Sequence, residues 1–489
     1  MHEENFHGFS MKTTNEIRVP GHLLNVLKEA EERYSRYIHL NPLLNRQLVS
    51  SQANKNVPIF NWYRYQEGFS SKLVDHLISE SGINAGTLLD PFAGLGTTLF
   101  CARERGLDSI GIELLPVGPF VLNARLLAER CNVDLLKDQL HRLKKMNFLE
   151  MPISRETNFK HVRITEKAFS PEIERKINAF LFYIRNNVQD RTIQEILRFT
   201  CFSILDKVSF VEKAGQFLRW DTRSGKPKAE YTKTKIWNFE EALFTQLGSM
   251  INDLQSFYMV NLRTQTAKIE LRQGSNFELL PAIPDASIDL IITSPPYLNR
   301  YDYTRVYALE LAFLGAGEEG ISKLRQSLLT CTVENKEKIE YIKKIYERND
   351  KIDVFNRAVE AFKENTLVRS IIEHFENLKI QKQLNNPNVL RLIKNYFLEH
   401  VFVIFELSRV LKNAGKIFYV NDNVRFAGVV IPVDIILSEF AGKAGLVLRK
   451  IDKLPIGKGN SSQQMGAFGK EEVRKCIYLW EKPSRFDAF

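Results

Sequence analysis

Two short strings carry the residues that could do chemistry. Asp90-Pro91-Phe92-Ala93-Gly94-Leu95-Gly96-Thr97-Thr98 follows the apolar run Thr87-Leu88-Leu89. Thr293-Ser294-Pro295-Pro296-Tyr297 follows Ile288-Asp289-Leu290-Ile291-Ile292. A strand that stops at an aspartate and turns through glycines into a helix puts backbone at the carboxyl edge of a parallel sheet, where α/β folds bind ligands. Gly94 and Gly96 let that backbone approach a ligand with no Cβ in the way. Asp90 offers an acceptor to a ligand ammonium, and Phe92 and Thr97 flank the glycines. The next strand ends in Gly111-Ile112-Glu113, an acid 23 residues after Asp90. That is the spacing of a group that binds ribose hydroxyls. The full G-x-G-x-x-G run of a dinucleotide site is absent, which favours a nucleoside cofactor without phosphates.

The second string suits an amine. The lone pair of an exocyclic amine on a nucleobase is delocalised into the ring, so the nitrogen attacks poorly. Acceptors on its hydrogens let it become tetrahedral. Ser294 Oγ and the Pro295 carbonyl are such acceptors, and Pro295 and Pro296 hold them still by fixing φ. Tyr297 offers a face on which an extruded base can stack. None of the five cysteines (Cys101, Cys131, Cys201, Cys331, Cys476) follows a proline, which excludes the usual signature of carbon-5 cytosine chemistry.

These strings need a sheet to position them. Strands over 87–90 and 108–113 around a helix at 97–105 make one β-α-β unit. Ser70 caps a helix with apolar positions Leu73, Val74, Leu77 and Ile78. An amphipathic helix is expected around Leu23–Tyr37. Between 115 and 265 helical periodicity takes over, at Ile173–Asn186, Thr192–Val208 and Phe239–Met259. Gly215–Pro227 reads there as an exposed basic hairpin or loop. Strands return at 268–271 and 288–292, a helical stretch rich in Lys and Glu runs from Val306 to Asn385, and a helix over Val389–Leu411 stops at a C-cap in Lys412-Asn413-Ala414-Gly415. Strands at 416–420, 445–451 and 474–480, with a helix at 430–442, complete a doubly wound α/β sheet carrying two mainly helical insertions. The expected segments are an N-terminal helical extension (1–56), a first core segment (57–114), a basic insert (115–265), a second core segment (266–305), a helical insert (306–388) and a last core segment (389–489).

Composition narrows the partners. The chain has 489 residues, a net charge of +10 and a pI near 9.1, which favours a polyanion. Eight cations fall between Lys207 and Lys235, against Glu212, Asp221 and Glu230. No CxxC pair suggests structural zinc, so no metal is expected. The scattered, odd cysteine count and the lack of a signal-like start point to a reducing compartment. No apolar stretch is long enough to span a membrane. His76 and His400 sit on helices and read as packing residues.

On these residues the chain resembles the S-adenosylmethionine-dependent amino-methyltransferases of bacterial DNA, the N4-cytosine/N6-adenine group. Asp90–Thr98 matches their D-P-F-x-G-x-G-T motif, Glu113 their ribose-binding acid, and Thr293–Tyr297 their S/D/N-P-P-Y/F tetrad, in the serine form more usual for N4-cytosine enzymes. The order, cofactor motif first, is not the commonest one among serine-type members. The resemblance implies a Rossmann-like methyltransferase sheet with S-adenosylmethionine as cofactor. It makes Ser294, Pro295, Pro296 and Tyr297 catalytic, and has Asp90, Phe92, Gly94, Gly96, Thr97 and Glu113 hold the cofactor. Asn276 stands where the family has an aspartate near the adenine. The segment from Phe60 through Trp62 and Glu67 to Phe69 matches the one that closes over the methionine moiety. The resemblance also implies duplex DNA as substrate, a flipped cytosine methylated at N4, a cognate restriction endonuclease as partner and a bacterial cytoplasmic location. Arg219, Trp220, Arg223 and Lys226 in the first insert, with Arg300 and Arg305 after the tetrad, are the expected DNA contacts. The polar loop Gly459–Gly466 is a further candidate for DNA contact. The competing expectations are N6-adenine methylation, an RNA guanine-N2 or protein-glutamine methyltransferase, and an inactive DNA-binding specificity protein on the same fold.

Overall fold

Leu88 and Leu89, side by side in one strand, both lose all contact with water, yet they belong to different cores. Alternate residues of a strand point to opposite faces, so a continuous apolar run marks a strand covered on both sides. The same split separates Leu290 from Ile291 and Phe418 from Ile417. The computed structural model describes residues 19–45, 48–65, 67–215, 217–227, 229–256, 266–455 and 472–484.

Twelve strands are described: β1 (Ile38–Leu40), β2 (Thr87–Asp90), β3 (Asp108–Glu113), β4 (Val211–Ala214), β5 (Phe217–Trp220), β6 (Ile269–Gln273), β7 (Ile288–Thr293), β8 (Leu411–Asp422), β9 (Val424–Phe426), β10 (Val429–Ile431), β11 (Val447–Lys453) and β12 (Lys475–Glu481). Eight of them form one sheet in the order β1-β11-β12-β8-β7-β2-β3-β6. The β6-β3-β2-β7-β8 run is parallel, and β12 is antiparallel to both β8 and β11. This α/β sheet is that of a methyltransferase fold, as expected.

Helices cover both faces. On one side pack Ser71–Ser81, Thr97–Glu104 and the helices of the first insert, among them Val117–Glu129, Pro171–Asn187, Arg191–Ser203 and Phe239–Leu254. On the other pack Ile339–Arg348, Ile352–Glu364, Thr366–Ile380, Val389–Val410 and Val433–Lys443. Capping follows the sequence: Ser70 Oγ accepts the Leu73 N–H at 3.1 Å, and Asn132, Ser170, Asp190 and Asn238 cap the first insert's helices in the same way.

Several boundaries differ from expectation. The helix Val389–Val410 ends without the expected C-cap, because Leu411 already pairs with Ile288. Residues 412–415 bulge within β8, with Ala414 at φ 60°, and are tied to Lys482 just past the end of β12. The stretch 430–442 opens as a strand, since β9 and β10 form a small hairpin before the helix starts at Val433. Residues 19–56 are not purely helical: β1 joins the sheet edge beside β11. The helix over 192–208 breaks at Ile204, and Met259 lies outside the described residues. Among the described residues no helix is long and apolar enough to cross a membrane.

Candidate active site

β2 and β7 are adjacent and in register at Leu88↔Leu290 and Leu89↔Ile291, so the two strings leave the sheet side by side. A buried carboxylate joins them. Asp90 Oδ1 accepts the Phe92 N–H at 3.0 Å and the Thr293 hydroxyl at 2.7 Å, while Oδ2 accepts the Thr98 hydroxyl at 2.7 Å. Burial pushes its carboxyl up to about 6, against the pull of these donors. Glu113, at the end of β3, accepts the Gly94 N–H on Oε2 and the Leu115 N–H on Oε1, both at 2.8 Å. Burial pushes it up to about 7.

The two glycines do different work. Gly94, at φ +52°, lines the cavity, and a Cβ there would meet Tyr65 at 3.4 Å. Gly96, at φ +76°, is not among the lining residues: a Cβ would lie 2.2 Å from Leu122. It clears the helix Val117–Glu129 rather than a ligand. Gly118, which the sequence motif does not include, is crowded by backbone as well as by a side chain. A Cβ on it would lie 2.3 Å from the Gly94 oxygen and 2.6 Å from Glu113 Cγ.

Both loops open into one cavity of about 420 Å³, within the usual size of a small-molecule site. Asp90, Phe92, Gly94, Thr97, Glu113 and Asn276 line one side, and Ser294, Pro295, Pro296 and Tyr297 another. Asn276 Oδ1 is buried with no hydrogen-bond partner among the described residues. Ser294 donates to the Tyr297 hydroxyl at 3.1 Å, leaving the serine oxygen's lone pairs open, and burial raises the tyrosine so that it stays a neutral phenol.

Of the aromatic segment, Tyr65, Glu67 and Phe69 reach the cavity. Trp62 does not. Its indole N–H donates to Asp253 Oδ2 at 2.8 Å and its ring packs 6.3 Å from Phe199, so it pins the segment to the helix Phe239–Leu254. Phe60 packs edge-on against Phe100. Glu67 is half-buried and accepts the hydroxyls of Tyr301 and Tyr307, and the loss of water around it raises its carboxyl.

The chain matches the DNA methylase family profile over residues 17–116. It is 41% identical to the Type II methyltransferase M.AvaI of Nostoc over 467 residues, 93% of either chain. It is 38% identical to M.BsoBI of Geobacillus stearothermophilus over 474 residues, 93% of this chain and 91% of that one. The chain belongs to this DNA methylase family. A more distant relative is M.MvaI of Kocuria varians, at 22% over 379 residues. No solved structure gives a significant match.

The methylase's cavity has walls that no motif announced. Asp422 at the end of β8 pairs with Lys475 at the start of β12, 2.7 Å apart, and both line it. Ser327, Leu328 and Leu329 come from the second insert. Four lining carboxylates (Glu67, Asp90, Glu113, Asp422) face one lysine, a balance that suits a cationic ligand.

The expected DNA contacts scatter. β4 and β5 do form a hairpin, but it is not simply exposed. Lys213 on β4 is buried against Glu310 and the Tyr63 hydroxyl. Arg223 grips buried Asp221 through Nε at 2.7 Å and Nη2 at 2.6 Å. That contact holds the aspartate well below the usual carboxylate range. Lys226 lies 4.5 Å over Trp220, and Arg219 lies 5.0 Å over Tyr231. Arg305 is half exposed near Asp302, and Arg300, at φ +66°, has its Nε buried without a partner among the described residues. The loop Gly459–Gly466 lies outside the described residues. His400 is buried and pushed down to about 3 by burial, with Nδ1 2.8 Å from the Tyr396 carbonyl oxygen, a packing role.

Proposed function

We propose that the methylase transfers a methyl group from S-adenosylmethionine to the N4 amine of a cytosine turned out of duplex DNA. The observation that carries this is the meeting of the Asp90–Thr98 and Ser294–Tyr297 loops in one cavity. The acceptor groups fit the cofactor: Glu113 has lone pairs for ribose hydroxyls, and the orphaned Asn276 Oδ1 can accept from an adenine amine. Gly94 keeps the floor low, and the excess of carboxylates suits a cationic sulfonium. When bound, S-adenosylmethionine supplies an electrophilic methyl carbon on a good leaving group.

The chain's own contribution is positioning. Ser294 Oγ and the Pro295 carbonyl accept the hydrogens of the amine, favouring a tetrahedral nitrogen with its lone pair free. Tyr297 holds the base by stacking and stays uncharged. Asp90, bonded to both loops, fixes the distance between the holding and reacting sides. Serine in the tetrad favours cytosine N4 over adenine N6. The first insert (115–265) is proposed to contact DNA and the second (306–388) to wall the cavity. A restriction endonuclease for the same site is the proposed partner, in keeping with Type II relatives.

Incubating duplex DNA with labelled cofactor, followed by nucleoside analysis, tests this. N4-methylcytosine is expected. N6-methyladenine would redirect the base assignment, and no transfer to any duplex would leave the inactive specificity protein as the better account.

A further inference from the structure

A second cavity, of about 660 Å³, adjoins the first between the Ser50–Asn54 turn, the aromatic segment and the β4–β5 hairpin. Ser50, Tyr65, Gly68, Phe69 and Thr97 line both, so the two share a wall. A third, of about 180 Å³, continues past Arg64, Glu212 and Lys213 towards Lys235 and Trp237. Sharing lining residues in turn, they make one trench that leads from the wall of the reaction cavity along the hairpin.

The trench is cationic. Its middle stretch is lined by Lys55, Arg64, Arg125, Lys213 and Arg219, against Glu212. Some of these charges serve the fold. Lys213 is held by Glu310 and Tyr63, and Arg125 donates to the Leu95 carbonyl at 2.8 Å. Further along, Lys233 donates to the carbonyls of Asp206, Ser209 and Val211. Lys55, Arg64 and Arg219 differ: they are exposed, and none is in an ion pair with a described residue. Tyr231 supports the Arg219 guanidinium from beneath.

We propose that this trench is the path of the DNA strand bearing the reacting base, with Lys55, Arg64 and Arg219 gripping its phosphates beside the cavity mouth. The inference rests on the proposed function. A base inside the cavity draws its own backbone to the mouth, so the flanking phosphates must leave over a neighbouring surface. The trench adjoins the cavity and offers three exposed cations that form no ion pair with a described residue. Arg223, by contrast, braces Asp221 and is assigned to the hairpin rather than to DNA.

The test is duplex affinity of the full chain by fluorescence anisotropy from about 50 to 200 mM salt. Lys55→Ala, Arg64→Ala and Arg219→Ala should each lower the slope of log K against log salt by about one, and the triple variant by about three. Affinity should fall alike on all duplexes, with cofactor affinity and melting temperature unchanged. Arg223→Ala should keep the wild-type slope and lose melting temperature. If the triple variant melts early, the single Arg64→Gln change carries the test. A wild-type slope in these variants, while the wild type binds and methylates, overturns the trench and spares the function. A wild type that neither binds nor methylates any duplex overturns the function itself. Wild-type DNA slopes with lost binding to an acidic protein partner would assign the trench to that partner instead.

Discussion

The loops after β2 and β7 stand next to each other and are stiffened by opposite means. The first is braced by hydrogen bonds: three donors converge on Asp90, the Gly94 N–H goes to Glu113, and the Ala93 N–H goes to the Ile112 carbonyl. The second is stiffened mainly by the rings of Pro295 and Pro296, with the Ser294–Tyr297 contact and an Asn299 N–H on the Tyr297 carbonyl. Bracing by hydrogen bonds uses acceptors up, whereas bracing by proline rings leaves them open. A loop that must hold a ligand tolerates the first, and a loop that must offer acceptors to a reacting amine needs the second.

Breaking the reacting side should have the largest effect. Tyr297→Ala is expected to slow methyl transfer by about 100-fold or more while cofactor affinity, read by calorimetry, stays within about twofold. Equal losses in both would erase the division of labour between the loops. Gly118→Ala attacks the holding side through the Gly94 oxygen, and about a tenfold loss of cofactor affinity is expected. Unchanged affinity would show that the Gly94–Glu113 brace is dispensable.

A third experiment uses pH. Glu113 reaches about 7 in the folded protein, above its ordinary carboxylate value, so its neutral form stabilises the fold below the unfolded value and that contribution is lost as pH rises through about 7. Ribose hydroxyls favour the anion, so cofactor affinity should climb from pH 5.5 to about 7 and level off, with proton release seen in buffers of different ionisation heat. Glu113→Gln removes the titrating group and should flatten the affinity profile. The smallest effect belongs to Thr98→Val, which removes one donor from buried Asp90. About 1–2 kcal/mol of stability should be lost by denaturant titration, with the tetrad loop's chemistry nearly intact.

The features legible in the sequence were those with local signals. β2, β3 and β7 announced themselves as apolar runs ending at polar groups, and Ser70 as a cap. What was hidden depends on partners far along the chain. Trp62 and Phe69 look equivalent as aromatics, but Asp253, 191 residues away from Trp62, draws the indole out of the cavity. Asp422 and Lys475 become cavity walls only when β8 and β12 pair. Gly96 carries the motif's signature, yet its conformation serves Leu122. The strand Ile38–Leu40 is three residues long and largely exposed, too short for its alternation to signal a strand, so only its neighbour β11 makes it one.

The place of β12 between β8 and β11 sets an order in time. During synthesis the two flanking strands emerge first, with a gap between them and their edges unpaired, a state open to mispairing. From the end of β7 to the start of β12 the ribosome needs on the order of ten to forty seconds. Until then the cavity lacks Lys475 and Asp422 lacks its counter-charge. A chain stopped short of β12 therefore has both signature loops but no finished cavity, so the methylase's site is complete only once the strand that comes last of the eight has paired with its two waiting neighbours.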